Sequence, residues 1–501
     1  MFLSLLSYLI LFSFVLLVCY ALWWYITIPK NLPPGPIGLP FVGCFPWVKA
    51  WTAHETLTEW TQKYGKLFSF YQGAKLVVVL ADADVIDEAL VKQSDVFSGR
   101  PFLMGIRPKT MKPKHGINSA EGPLWKEQRR FVVNTLKDFG FGRPILEPKI
   151  LQEAEYLLDS IDAINGQPFD PRPVISNAVS NVICSMVFGH RFALDSELRD
   201  QLDRLNYRAS QSQRNTLSAQ SIFPWYQHYY PPGKRQLKRF IEEGEEIMRF
   251  LQKEIDMCKD SFVIDGEPSC FVHAFLKAQA TGIGQYFTDE QLRSTTFDLF
   301  LAGTDTTVST LRWAVYYMAK HPDIQARVRE EIRSLLESRW PSSSDRTRLP
   351  LTEAVLMEVH RMGSIVPLSV MHRTTSATRL RGYDIPEWTY VLPLLWAVHR
   401  DPHHFPSPDS FDPTRFLVTE EETGEYKLKK NLPLIPFSVG KRACPGEPLA
   451  RMELFLYFTV MMQNYIFAFP SDPDQDDKIG CSVGFIRSPD AFYVCASRVH
   501  S

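Results

Sequence analysis

A chain of 501 residues, 45% apolar and 22% charged, can bury a large core and is no disordered polymer. Its formal net charge of −1 gives no global electrostatic argument for nucleic-acid binding. Eight scattered cysteines without a CxxC pair exclude a disulfide framework, and none reads as a zinc site.

Residues 2–29 carry no charge, and the run exceeds the roughly 20 apolar residues that cross a bilayer. Trp23, Trp24 and Tyr25 stand near its end, where aromatic rings favour the membrane interface. The expectation is a transmembrane signal anchor over 1–29. A cleaved signal has an apolar region of only about 7–15 residues behind a basic start. Lys30 then places the following chain in the cytosol. The absence of an N-x-S/T acceptor and of a disulfide framework points the same way. Four prolines in Asn31–Pro40 forbid a helix and predict a stiff Pro/Gly-rich linker over 30–48. One globular domain is expected over 49–501.

Leu67–Tyr71 and Lys75–Leu80 read as partner strands. Apolar residues spaced by three and four predict helices over 146–161 and 236–259. Thr288-Asp-Glu-Gln291 is a capping-box pattern that opens a helix running to Lys320, where His321-Pro322 stops it. At 1.5 Å per residue that helix is about 50 Å long, enough to cross a whole domain. Trp340–Arg348 and Thr419–Asn431 are polar and read as surface loops. The expected fold is mainly α with a minor β-region, behind one N-terminal membrane helix.

Three stretches carry chemistry. In Phe437-Ser-Val-Gly-Lys-Arg-Ala-Cys-Pro-Gly446, Cys444 stands between Gly440 and Gly446 and ahead of an apolar helix. The glycines permit tight backbone, exposed N–H groups can donate to a sulfur, and the helix N-terminus favours an anion. Such a loop suits a thiolate ligand for haem iron, with Arg442 as a cation for a haem propionate. Ala302-Gly-Thr-Asp-Thr-Thr307 sets Gly303, hydroxyls and a carboxylate in mid-helix. Gly303 costs helix stability by about 1 kcal/mol, and the hydroxyls compete for backbone hydrogen bonds. A helix that opens a groove tolerates that combination. Glu358-Val-His-Arg361 brings a carboxylate and a guanidinium onto one helix face.

These segments resemble the cytochrome P-450 superfamily. Phe437–Gly446 is similar to its haem-binding signature, and the likeness runs along essentially the whole chain, closest to the microsomal family-2 clan of animals. The resemblance implies a cytochrome P-450 fold and a haem-thiolate monooxygenase, with haem b as cofactor and Cys444 on the iron. It implies insertion of one oxygen atom from dioxygen into a lipophilic small molecule: a steroid, fatty acid, hormone or xenobiotic. Thr306 and Asp305 would deliver protons. Arg100, Trp125, Arg129, His372, Arg442 and Phe437 would bind the cofactor. Glu358, Arg361 and Arg415, the last from Phe411–Phe416, would form a structural triad. Ile117, Asn118, Phe300, Ala302, Ile365, Val366, Leu368 and Val483 would line the substrate pocket. Electrons would come from NADPH through NADPH–cytochrome P-450 reductase, docked near Lys126, Arg130, Lys137 and Lys441, with cytochrome b5 as a second partner. The expected location is the endoplasmic reticulum membrane, single-pass, with the 49–501 catalytic domain in the cytosol. Thr414 and Met371 depart from the commonest pattern of the clan. Two alternatives stay open, a haem-thiolate isomerase or dehydratase of lipid peroxides and a non-catalytic haem sensor.

Overall fold

The computed structural model describes residues 2–49, 51–101, 114–192, 231–420, 424, 426–470 and 479–499. Helix α1 (Phe2–Thr27) is the charge-free run. Many of its side chains lie outside the described set, and among the described residues no helix is long and apolar enough to cross a membrane.

The expected linker over 30–48 is not a free spacer. It docks on the sheet that follows α2 (Ala53–Tyr64). Strand β1 (Leu67–Gln72) pairs antiparallel with β2 (Lys75–Leu80). From β1, the Ser69 N–H donates to Pro34 O at 2.8 Å and its hydroxyl to Pro33 O at 2.7 Å. Cys44 N donates to Tyr71 O at 2.6 Å, and Cys44 and Val48 are fully buried. Prolines lack an N–H but keep a carbonyl, so the proline stretch pairs through acceptors, and Cys44 beyond it supplies a donor.

The sheet runs β1-β2-β6-β3, with β3 (His372–Arg373), β4 (Thr378–Leu380), β5 (Tyr383–Ile385) and β6 (Tyr390–Pro393) following in the chain. Val77 and Val79 pack on one side, with Phe68, Phe70 and Leu368; Val78 and Leu80 pack on the other, with Ile86 and Phe97. Both faces are covered, which is why β2 is an unbroken apolar run after Lys75.

The helical body contains α3 (Ala83–Asp87), α4 (Gly122–Asp138), α5 (Glu147–Asp162), α6 (Pro171–Val187), α7 (Pro231–Ser261), α8 (Phe271–Thr281) and α9 (Asp289–Lys320). It continues with α10 (Pro322–Leu336), α11 (Pro350–Gly363), α12 (Leu395–His399) and α13 (Glu447–Asn464). Helix α9 is the axis. Thr288 Oγ1 accepts the Gln291 N–H at 3.2 Å as its N-cap, and Pro322 opens α10 directly beyond its end. It packs against α6, α11 and α13, and its second half is almost wholly buried.

Neither expected surface loop is plain coil. Ser343–Arg348 forms a 3-10 turn with a Ser342/Asp345 capping box, and buried Asp345 pairs with Arg339. Strands β7 (Leu417–Thr419) and β8 (Tyr426–Leu428) form a hairpin at the second. Two more pairs, β9 (Tyr465–Ala468) with β12 (Cys495–Arg498) and β10 (Cys481–Val483) with β11 (Arg487–Pro489), complete the minor β-region.

Candidate active site

The Cys444 loop is shaped by backbone. Cys444 N donates to Phe437 O at 2.9 Å and Ala443 N to Gly440 O at 3.0 Å. Gly440 has φ +79°, and a Cβ there would lie 1.9 Å from Leu90 O, so no other residue fits. Gly446 is different: a Cβ would meet only Cys444 Sγ, at an ordinary 3.8 Å. Close approach therefore rests on Gly440. Phe437 wedges below the loop, 5.3 Å from the His360 ring of α11 and 5.0 Å from the Arg451 guanidinium of α13.

Cys444 is accessible, yet burial raises its thiol pKa. The sulfur can be reached from outside although protein crowds around it. The N–H groups of Gly446 and Glu447 at the start of α13, and the nearby Arg129 charge, oppose that rise by favouring the thiolate. Arg129 itself donates to Ala443 O.

Beside this loop three arginines crowd together. Arg442 donates to Ser98 O at 2.9 Å, Ile117 O at 3.3 Å and Ala120 O at 2.6 Å, and stacks on Trp125 at 3.8 Å. Arg100 donates to Asn118 O at 3.2 Å, Val370 O at 2.9 Å and Met371 O at 3.0 Å. Burial, then repulsion from Arg129, holds the Arg100 pKa down at about 9. Burial, then Arg100, holds that of Arg442 at about 8. Glu121, the neighbouring carboxylate, is bound at 2.9 Å by Arg373. The buried Trp125 Nε1 has no hydrogen-bond partner among the described residues. His372 Nδ1 lies 2.8 Å from Phe97 O, so Nδ1 carries a proton and Nε2 is left for a second partner. Burial holds this imidazole well below its ordinary pKa, and Arg100 and Arg442 add to the effect. A sulfur with anion-stabilising donors, beside buried cations in excess and an orphaned indole N–H, fits a macrocycle that carries a metal and two carboxylates.

The model for the Cytochrome P-450 family matches residues 33–496. The chain is 39% identical over 476 residues to Cytochrome P-450 2J2 of Homo sapiens, covering 93% of this chain and 91% of that protein. It is 38% identical over 492 residues to Cytochrome P-450 2U1 of Rattus norvegicus, with shares of 93% and 91%. With Cytochrome P-450 2H2 of Gallus gallus it shares 37% over 464 residues, 90% of this chain and 92% of the relative. The chain belongs to the cytochrome P-450 family. As a cytochrome P-450 it is a haem-dependent monooxygenase, an oxidoreductase.

Other P-450 expectations map unevenly onto the fold. Glu358 is fully buried and binds Arg361 through two contacts of 2.7 Å and Arg415 at 3.2 Å. Arg361 is also fully buried and donates to His399 O, Pro408 O and Ser410 O, so it ties α11 to the segments around it. In α9, Ala302 is exposed and Thr306 half-buried one turn later, on one face. Thr306 Oγ1 donates to Ala302 O at 2.8 Å. Asp305 is buried and ion-paired with Arg172 of α6 at 3.3 Å.

Phe300 needs correction. At about 100° per residue it stands roughly 160° from Ala302 around the helix, fully buried with its ring 6.4 Å from Phe250 of α7. It packs the back of α9. Leu368 is likewise a core residue under the sheet. Gly303 does not break α9, which is helical through the whole stretch; a Cβ there would come within 2.6 Å of Ile183 Cδ1 of α6. The glycine serves helix packing.

Ile117 is buried and Asn118 exposed; Asp298 of α9 accepts both their N–H groups, at 2.8 and 2.9 Å. Gln291 bonds both backbone groups of Gly116 at 3.1 Å. Asp298 and Gln291 are positioning residues that sequence reasoning missed, although an acid inside Phe297–Ala302, an otherwise apolar run, is a signal. Ile365 and Val366 are half-buried, and Ile365 O accepts the Arg487 N–H at 2.7 Å. The Val483 side chain lies outside the described residues.

Proposed function

We propose that this cytochrome P-450 inserts one oxygen atom into a lipophilic small molecule at a haem b held by Cys444. The carrying observation is the accessible Cys444 sulfur, with N–H groups of Gly446 and Glu447 and the Arg129 charge turned to its support. Arg100, Trp125, His372 and Arg442 would hold the propionates; Trp125 Nε1 and the Arg442 guanidinium stacked on it form the most complete part of that cradle. Bound there, haem supplies activation of dioxygen and transfer of one oxygen atom.

The chain's own residues do the rest. Ala302 is small and leaves space beside the Thr306 hydroxyl. That hydroxyl donates to Ala302 O, so its oxygen lone pairs are free to accept a proton and hand it on. Asp305 would be the next proton holder, once it loosens from Arg172. Ile117, Ile365 and Val366 would give the apolar wall, and Asn118 a polar mark for orientation. The flavoprotein reductase, and cytochrome b5 as a second donor, would dock on α4, where Lys126, Arg130 and Lys137 are exposed on the helix that sends Arg129 to the Cys444 loop. Lys441 belongs to the same surface but is paired with Asp95 at 2.5 Å. Helix α1 would anchor the protein in the endoplasmic reticulum membrane with the body in the cytosol.

The test is the reduced carbon-monoxide difference spectrum of the membrane-bound protein beside Cys444→His. A strongly red-shifted Soret band in the parent, lost in the variant, is expected. Its absence from folded, haem-loaded parent would refute the assignment of Cys444.

A further inference from the structure

Three side chains far apart in chemistry from the haem site meet where α7 ends and α8 begins. Cys258 lies in the last turn of α7, Cys270 is the N-cap residue of α8, and His273 stands in its first turn. One ligand atom from each, two sulfurs and a ring nitrogen, all lie within 4.8 Å of one another. The cysteine spacing carries no zinc signature; the α7–α8 corner makes the cluster by folding the chain back.

We propose that Cys258, Cys270 and His273 form a zinc site that clamps α7 to α8, with one exchangeable position left for water. A tetrahedral zinc with Zn–S of about 2.3 Å and Zn–N of about 2.0–2.1 Å separates two sulfurs by about 3.8 Å and sulfur from nitrogen by about 3.6 Å, so the cluster needs to contract by at most about 1.2 Å. Two thiolates and an imidazole are a donor set that zinc favours.

The surroundings are those of ligands rather than inert core thiols. His273 Nε2 lies 3.0 Å from Cys258 O, so that nitrogen carries the proton and donates to a carbonyl. The lone pair is then on Nδ1, the arrangement by which an outer partner fixes a ligating histidine. Ser269 Oγ, 3.0 Å from Nδ1, can turn its proton elsewhere. Cys270 Sγ already accepts the His273 N–H at 3.4 Å, so the start of α8 favours it as a thiolate. Cys258 donates its S–H to Phe188 O at 3.5 Å; binding of zinc releases that proton to solvent and replaces the contact with a metal–sulfur bond. One turn before Cys258 stands Glu254, whose fully buried carboxylate pairs with the half-exposed His190 at 3.0 Å. A divalent cation offsets this concentration of negative charge. Both sulfurs are buried, but His273 is half-exposed between exposed Ser261 and Ser269, which gives the ion a way in.

The experiment uses the full-length, haem-loaded protein, produced with zinc in the medium, solubilised and dialysed against a weak chelator. Zinc and iron are measured together by emission spectroscopy, and the zinc environment by X-ray absorption. The expectation is about one zinc per iron, with sulfur near 2.3 Å and nitrogen near 2.0–2.1 Å. Cys270→Ser keeps a good N-cap and His273→Ala leaves both thiols; each should lower zinc about tenfold or more at unchanged iron, while Cys495→Ser keeps it. Zinc added to stripped parent should raise Tm and leave that of His273→Ala unmoved. Parent protein with zinc below a tenth of its iron, zinc retained by His273→Ala, or a Cys258–Cys270 disulfide found by mass spectrometry would each overturn the proposal. The haem spectrum is read from the same samples, so loss of the Cys444 site is seen separately.

Discussion

Arg172 of α6 and Asp305 of α9 meet at 3.3 Å, Nη2 to Oδ1, with 7% and 3% of their surfaces exposed. The pair crosses the contact between the two helices and holds the carboxylate that precedes Thr306. Breaking a buried pair by removing one partner strands the other charge, at about 3–5 kcal/mol. Arg172→Met should therefore lower unfolding stability by that order in denaturant titration, and Arg172→Lys by much less. Equal stabilities for parent and Arg172→Met would show that the pair adds nothing.

The two loop glycines separate cleanly. Gly440→Ala drives a Cβ to 1.9 Å from Leu90 O at φ +79°, so the Cys444 loop must unravel. Little haem-loaded protein is expected. Gly446→Ala meets only the Cys444 sulfur at 3.8 Å and should load haem normally, with at most a small shift of its Soret band. Iron-to-protein ratio distinguishes them; equal loading would mean that the loop is not held against Leu90.

Acid should destabilise the fold through buried histidines. Burial holds His54 at a pKa of about 4 and His360 and His399 at about 3, against an ordinary 6.5. Below pH 6.5 the unfolded chain takes up protons that the native state refuses, so stability is full above 6.5 and falls as pH drops towards 4. Each proton difference is worth about 1.4 kcal/mol per pH unit, so the three approach roughly 4 kcal/mol per unit near pH 5. Urea midpoints at pH 5.5, 6.5 and 7.5 check this. A flat profile would mean that these rings are protonated in the folded protein.

Charge on α4 should govern reduction. Lys126 and Arg130 are exposed at i and i+4, either side of Arg129, which binds Ala443 O. Reversing both to Glu should slow flavoprotein-driven reduction at least tenfold at low salt and leave substrate-induced spectral changes as they were. Stopped-flow reduction decides; an unchanged rate would move the docking face elsewhere.

What the sequence made legible was local. The Cys444 loop, the Glu358–Arg361 pair, the β1–β2 hairpin and the ends of α9 are each written within a few residues of themselves. Arg415 came from a resemblance, yet its contact with Glu358 spans 57 positions. Asp298 under Ile117 and Arg172 against Asp305 were hidden because each depends on how two distant elements cross. The cluster of Cys258, Cys270 and His273 was hidden by a turn between helices, which alone brings its atoms together. Phe300 was a different failure. Helical periodicity sets it opposite Ala302, so the sequence already contained the means to place it.

The donors of Arg442 reach Ser98 O, Ile117 O and Ala120 O, backwards across 344, 325 and 322 positions. On the ribosome those carbonyls emerge long before their guanidinium. At about 5–20 residues per second they wait roughly 16–69 s for it. These three contacts can therefore form only when the last eighth of the chain arrives, and a nascent protein cut short before Arg442 lacks them all.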